Sequence, residues 1–313
     1  MKTLKYYTLR YYVPAIIKSR RIFNNWISLA LKYALYRLGI LYDYLAVRCG
    51  SSTLYIEPYI YELIIRGYYL GFIYSIRCHG GRLIINGDEI IFKKSNGYFS
   101  IGSAMFKTLY KSILETFIGR QYDLVDVRGK VVVDVGAFVG DSAIYFALKG
   151  AKKVIAIEPH REAFKEMLEN IKLNNLEDVI MSINAGLASK HGKICLKNTD
   201  IKGTESSYHG LGNCMNNVNV ITLSEIIKIV GEHIINSAIL KMDCEGCEYD
   251  IILNDYENVR RFRELILEYH EYEKPISLLL NVLSKDFNCI TIRISSKIGI
   301  MYCNKSKFHH INV

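Results

Sequence analysis

From Lys130 onward, short apolar runs alternate with amphipathic stretches. That alternation constrains the fold more than any other feature of the chain. Val131–Val135 is a run of β-branched residues and reads as a buried parallel strand. Asp141–Lys149 then reads as a helix, Lys153–Ile157 as a strand, Arg161–Leu173 as a helix and Val179–Asn184 as a strand. Leu223–Val230 (helix), Ala238–Met242 (strand), Tyr249–Leu253 (start of a helix), Leu265–Tyr269 (strand) and Pro275–Ser284 (helix) continue the pattern. Cys289–Ile294 and Gly299–Cys303 read as a closing strand pair. Strands joined by crossover helices build an α/β, Rossmann-like doubly wound sheet with helices on both faces. The closing hairpin makes it mostly parallel with an antiparallel terminal strand. Ahead of this domain (128–313) lie a mixed connecting region (49–127) and a basic N-terminal extension (1–48). In the connecting region, Asn86-Gly87-Asp88 signals a hairpin within Leu83–Phe92, and Met105–Gly119 reads as a helix.

Charge is unevenly spread. Residues 1–50 hold nine basic residues and one acid, Asp43, and so carry eight of the nine net positive charges. The body of the protein is nearly neutral, which argues against nucleic acid as a partner. From Ile22 to Tyr42 the pattern is helical: Phe23, Ile27, Ala30, Ala34, Leu38 and Leu41 share one face, and Arg21, Asn25, Ser28, Lys32 and Tyr36 another. Such a helix suits the interface of an anionic membrane, and equally suits packing on the rest of the protein. Lys32 and Arg37 interrupt any run of the ~18–20 apolar residues that spanning requires, and no signal-peptide pattern is seen. The expectation is a cytoplasmic protein, peripheral at the membrane through residues 1–48. Eight cysteines at irregular spacing argue against a disulfide scaffold.

The most informative stretch is Val131-Val-Val-Asp-Val-Gly-Ala-Phe-Val-Gly-Asp141. A strand runs through Asp134 into a turn with Gly136 and Gly140, and a helix opens at Asp141. Dinucleotide sites place three glycines and a bare helix N-terminus against a pyrophosphate. Here the spacing is D-x-G-x-x-x-G, and carboxylates that repel phosphate favour a ligand with a cationic group. The second strand ends at Glu158-Pro159. An acid there accepts hydrogen bonds from ribose hydroxyls. Asp134, Gly136, Gly140 and Glu158 together point to an adenosine ligand without a pyrophosphate, which S-adenosylmethionine fits best.

These residues resemble a class I S-adenosylmethionine-dependent methyltransferase of the FkbM type. The resemblance rests on Asp134-Val-Gly-Ala-Phe-Val-Gly-Asp141, Val154-Ile-Ala-Ile-Glu-Pro159, Glu169-Asn-Ile-Lys-Leu-Asn174, Leu240-Lys-Met-Asp-Cys-Glu-Gly-Cys-Glu248 and Leu267-Glu-Tyr-His270, and covers residues 110–305. It implies methyl transfer to a hydroxyl of a sugar, lipid or secondary metabolite. The family usually has Asn, and many methyltransferases Gly, where this chain has Phe138, a residue that can stack on or crowd the cofactor. In similar enzymes the turn after the third strand, here Asn184-Ala-Gly-Leu187, lies along the adenine, and Asn184 can add a side-chain hydrogen bond.

Lys241, near the end of the fourth strand, and Asp243 and Glu245, just after it, are charged groups at the end of the sheet where doubly wound folds bind ligands. His270 follows the fifth strand and is expected beside them. Methyl transfer to an alcohol needs the acceptor oxygen aligned and its proton removed. His270 is the expected general base, with Asp243 orienting it or taking the proton itself. Glu268, Asp243 and His270 offer a divalent metal site, ranked below direct base catalysis. Cys244 and Cys247 form C-x-x-C, but zinc needs two further ligands, and the pair reads as small residues flanking Glu245-Gly246. The loop Lys202–Asn213, with Ser206, Tyr208 and His209, reads as a lid or a mobile surface loop. Rival functions are a nicotinamide-dependent oxidoreductase, a nucleic-acid methyltransferase, and a non-catalytic membrane adaptor built on a degenerate methyltransferase domain.

Overall fold

The computed structural model describes residues 13–41, 43–79, 82–95, 97–196, 208–211, 217–271, 274–294 and 297–305. The chain divides into two units, Met1–Asp123 and Leu124–Val313. The sequence-derived segments 1–48 and 49–127 thus fall almost wholly in one unit.

The first unit contains helix α1 (13–19), α2 (Trp26–Arg37), strands β1 (Leu45–Cys49) and β2 (Ser52–Ile56), and α3 (Pro58–Leu70). A five-stranded antiparallel meander follows: β3 (Ile76–His79), β4 (Arg82–Ile85), β5 (Asp88–Ser95), β6 (Tyr98–Ile101) and β7 (Ala104–Phe106), then α4 (Lys111–Phe117). The β4–β5 turn uses Asn86 and Gly87 at φ 52° and 97°, as the hairpin signal requires. The helix expected from Met105 starts only at Lys111, because Met105 pairs with Ser100 in the meander. Among the described residues, no helix is long and apolar enough to cross a membrane.

Helix α2 shows a different buried face from the one its apolar spacing suggests. Leu29 and Tyr33 are buried, whereas Ile27, Leu31 and Leu38 are 67%, 64% and 72% exposed. Tyr33 sets the rotation. Its ring meets Tyr61 edge-on at 5.6 Å, and its hydroxyl donates to Glu62 Oε2 at 2.6 Å, where Arg37 also pairs. One aromatic ring with a satisfied polar tip outweighs a stripe of smaller aliphatic residues.

The second unit contains β8 (Val131–Val135), α5 (Asp141–Leu148), β9 (Lys153–Ile157), α6 (Arg161–Leu173), β10 (Ile180–Ile183), β11 (Gly186–Leu187), β12 (Lys193–Leu196), β13 (Tyr208–Leu211) and β14 (Asn217–Ile221). It continues with α7 (Leu223–Val230), β15 (Ile239–Met242), α8 (Cys247–Asn254), α9 (Tyr256–Val259), β16 (Glu264–His270), α10 (Ser277–Leu283), β17 (Asn288–Arg293) and β18 (Ile298–Asn304). The main sheet runs β10-β9-β8-β15-β16-β18-β17. The first five strands are parallel. Strand β18 is antiparallel to both neighbours, so the last strand of the hairpin inserts beside β16. Every residue of β8 and β15 is buried, which explains their unalternated apolar sequence. The order of connections reverses between β8 and β15, the switch point at which doubly wound sheets carry their ligand crevice, beyond the carboxyl ends of the strands.

Strands β11 to β14 form a small second sheet that the sequence reading did not anticipate. Of the expected lid, only Tyr208–Leu211 lies among the described residues, as β13 paired to β12. Ser206 lies outside them. The expectation of no disulfide framework is overturned by Cys49–Cys78, Cys244–Cys247 and Cys289–Cys303. Cys289 and Cys303 face each other across the β17–β18 ladder, a register that spacing along the chain does not reveal.

Candidate active site

The loop after β8 is built for close approach. Gly136 sits at φ 74°, and its amide and that of Ala137 donate to Ile157 O at 3.0 and 3.1 Å. A Cβ on Gly136 would run into the carbonyl oxygen of Asp243 and lie against Cys244 Cα. The ends of β8 and β15 are thus in direct contact, and Asp243 N donates to Val135 O at 3.0 Å. Gly140, at φ 86°, starts α5, and Asn170 of α6 donates to Val139 O at 2.9 Å. Asp141 is buried in the first turn of α5, where the helix dipole favours a carboxylate.

Asp134 and Lys241 occupy neighbouring strands in register, both buried. Lys241 Nζ lies 2.9 Å from Asp134 Oδ1 and donates to Gly136 O at 2.9 Å and Val135 O at 3.3 Å. Ser142 Oγ donates to Asp134 Oδ2 at 2.7 Å. Burial opposes the charge on Lys241, but Asp134, with Asp243 and Asp141 beyond it, holds its pKa above the ordinary value. These contacts correct two expectations. Asp134 does not present a carboxylate to a ligand, and Lys241 does not face an acceptor. The pair lies under the glycine loop and fixes its carbonyls, so both are positioning residues.

Glu158 directly follows β9, at the carboxyl end of the sheet, and is buried. Its Oε2 accepts from Phe138 N at 2.8 Å and its Oε1 from His160 N at 2.7 Å. Burial raises its pKa to about 7, against the pull of those two amides. Phe138 stands at φ 47°, a region that Gly and Asn adopt with less strain, and that backbone geometry aims its amide at Glu158. The Asn184 side chain is committed internally: its amide donates to the carbonyls of Glu158 (2.8 Å) and Pro159 (3.3 Å). These bonds use the side-chain nitrogen and brace the backbone behind Glu158; the side-chain oxygen is not engaged by them.

At the other end of the crevice, the turn after β15 presents Asp243 and Glu245, both half-buried. Glu245 lies at φ 57° and Gly246 at φ 123°. Glu248, fully buried in α8, holds this turn. Its Oε1 accepts from Cys244 N at 2.9 Å and its Oε2 from Gly246 N at 2.8 Å. His270, at the end of β16, is also buried. Its Nε2 is 3.3 Å from Glu245 Oε2 and 3.7 Å from Glu268 Oε1, and its Nδ1 is 3.8 Å from Glu248 Oε1. Burial works against a charged imidazole, but Glu248, Glu245 and Asp243 outweigh it and raise the His270 pKa to about 10. A protonated imidazole has no lone pair with which to accept a proton. That raised pKa favours the protonated imidazole, which pairs with the acidic turn and works against the general-base role expected of His270. One ligand atom each from Asp243, Glu245 and His270 lies within 4.8 Å of the others, a spacing open to a divalent cation that displaces the imidazole proton.

The C-x-x-C motif is neither a zinc half-site nor a pair of spacers, because Cys244 and Cys247 form a disulfide around Glu245-Gly246. Ser142, Asn170 and Glu248 are the residues the sequence reading left out of the site. Each is a buried polar side chain that braces a loop. Glu248 alone carried a signal, as an acid at the start of a helix.

A five-stranded parallel core that opens at a glycine loop and closes with one reversed strand is the frame of the class I methyltransferases. Residues 134–289 match the family model of the methyltransferase FkbM domain, and the chain belongs to that S-adenosylmethionine-dependent family. A curated relative, uncharacterized protein 158B of Sulfolobus islandicus rod-shaped virus 1, is 26% identical over 151 residues, covering 48% of this chain and 67% of the viral protein. Ribosomal protein L11 methyltransferase of Carboxydothermus hydrogenoformans is 49% identical over 59 residues, a match that spans only 19% of each chain. Among solved structures, methyltransferase FkbM from Methylobacillus flagellatus KT is similar with 16% identity and a TM-score of 0.40, over 61% of this chain and 52% of that one.

Proposed function

We propose that the second unit transfers a methyl group from S-adenosylmethionine to a hydroxyl of a sugar, glycolipid or secondary metabolite. The observation that carries this reading is the pair of acidic positions flanking the crevice, Glu158 on β9 and the Asp243–Glu245 turn after β15, joined through the Gly136 contact. Glu158 takes the ribose hydroxyls, and Gly136, Gly140 and Asp141 shape the loop around the nucleoside. When bound, the cofactor supplies an electrophilic methyl on a cationic sulfur. Asp243 orients the acceptor hydroxyl and takes its proton as the new C–O bond forms, and the imidazolium of His270 keeps Glu245 in place beside it. Incubating the protein with methyl-labelled S-adenosylmethionine and fractionated cell extract tests the acceptor class. Label is expected in the glycan, lipid or small-metabolite fractions. Label confined to RNA or protein would replace this acceptor class with another.

The exposed stripe of Ile27, Leu31 and Leu38, with Lys32 on the same exposed side and Arg20 and Arg21 exposed just ahead of α2, supports peripheral contact with an anionic membrane. Leu31→Asp is expected to weaken sedimentation with vesicles rich in anionic lipid. Equal sedimentation of the two proteins would remove the membrane from this account.

A further inference from the structure

We infer that the Cys244–Cys247 disulfide is a redox modification site through which a dithiol reductant controls the active-site turn. The inference rests on reading the crevice as the cofactor site. The disulfide closes a loop holding only Glu245 and Gly246, the residues the turn presents at φ 57° and 123°. It therefore helps to hold Glu245, a non-glycine residue, in the left-handed region, 3.3 Å from His270 Nε2. Cys244 is half-buried and Cys247 is 1% exposed, so an incoming thiolate reaches the Cys244 sulfur first.

Attack there forms a mixed disulfide with Cys244 and releases Cys247 as a thiolate. The second thiol of the reductant then attacks the mixed disulfide and frees Cys244. In total one protein disulfide gains two electrons and two protons, and the dithiol leaves as its own disulfide. The freed Cys244 thiol has an acceptor ready. Its sulfur lies 3.5 Å from Glu248 Oε1, the oxygen that already accepts Cys244 N. Donation to it competes with the clamp that Glu248 places on the turn. The change reaches the cofactor loop because Cys244 Cα and Asp243 O are the atoms packed against Gly136.

The other two disulfides lack this leverage. Cys289–Cys303 ties two strands already in register, and Cys49–Cys78 belongs to the first unit.

The test is calorimetric titration of the full chain with S-adenosylhomocysteine, before and after treatment with a small dithiol, with alkylation and peptide mass spectrometry to map the free thiols. Cys244 and Cys247 are expected to resist alkylation until the dithiol is added, and reduction is expected to weaken binding by about fivefold. The double variant Cys244→Ser/Cys247→Ser should bind like the reduced protein and ignore the dithiol. Equal affinity in both states with both cysteines newly alkylated overturns the inference. So does alkylation of the pair without reductant, or a double variant that still responds to the dithiol. Heat absent in both states would instead overturn the cofactor reading, and the inference with it.

Discussion

Lys241→Met is expected to destabilise the second unit by roughly 3–5 kcal/mol, the usual cost of leaving one partner of a buried ion pair alone. Asp134 is fully buried, and Lys241 supplies its facing charge at 2.9 Å. The substitution also removes the Lys241 bonds to the carbonyls of Gly136 and Val135, the second of which keeps its bond from Asp243 N. Urea unfolding followed by circular dichroism measures the loss. Adding Asp134→Leu to Lys241→Met should recover much of it, because the unpaired charge is then gone and an apolar pair fills the space. A single variant as stable as the parent would show that the pair does not hold the loop.

Asp243→Asn is expected to lower methyl transfer by at least about a hundredfold, the lower range for losing a general base, and to leave the affinity for S-adenosylhomocysteine within a few-fold of the parent. The amide keeps the size of the side chain and the Asp243 N contact to Val135 O, but it cannot take a proton. The reverse outcome, lost cofactor affinity with turnover preserved, would make Asp243 part of the cofactor cradle. The pH profile separates Asp243 from His270. With its pKa raised to about 10, His270 is protonated through neutral pH, and transfer at saturating S-adenosylmethionine, where the titration of Glu158 no longer limits binding, should show no limb near the ordinary histidine value of about 6.5. A limb there, lost in His270→Gln, would restore the imidazole as base. The same shift has a consequence for stability. The folded pKa lies above the unfolded one, so stabilisation by His270 is complete below about pH 6.5 and is lost as pH rises towards about 10.

The five parallel strands of the main sheet were legible to within a residue or two; β8, β9, β15 and β16 are buried on both faces, and such strands read as continuous apolar runs. Their ends were legible for the same reason: a charged residue after such a run is conspicuous, and Glu158, Asp243, Glu245 and His270 all stand there. What those groups do was less legible, because it depends on pairing across strands. Lys241 and Asp134 meet only through the β8–β15 register, and His270 becomes a cation only because α8 brings Glu248 and the turn brings Glu245. Helix α2 shows the same limit. Periodicity located the helix, but Tyr33 and its partners on α3 decided which face is buried. The small sheet β11–β14 escaped because β12 and β14 mix exposed residues with buried or half-buried ones and β11 has only two residues, so no continuous apolar run marks them.

In the proposed function, Glu158 receives the ribose of an S-adenosyl ligand. Calorimetry with S-adenosylhomocysteine, with NAD as the control, tests it most directly when run on the parent and on Glu158→Gln across neutral pH. Burial holds the Glu158 pKa at about 7, so the acceptor form predominates only above that value, and affinity for S-adenosylhomocysteine should rise as pH is raised through it. Glu158→Gln should bind roughly 10- to 100-fold more weakly at the upper end and lose the pH dependence. Binding of NAD in preference to S-adenosylhomocysteine, or an unchanged affinity in Glu158→Gln, would contradict the account.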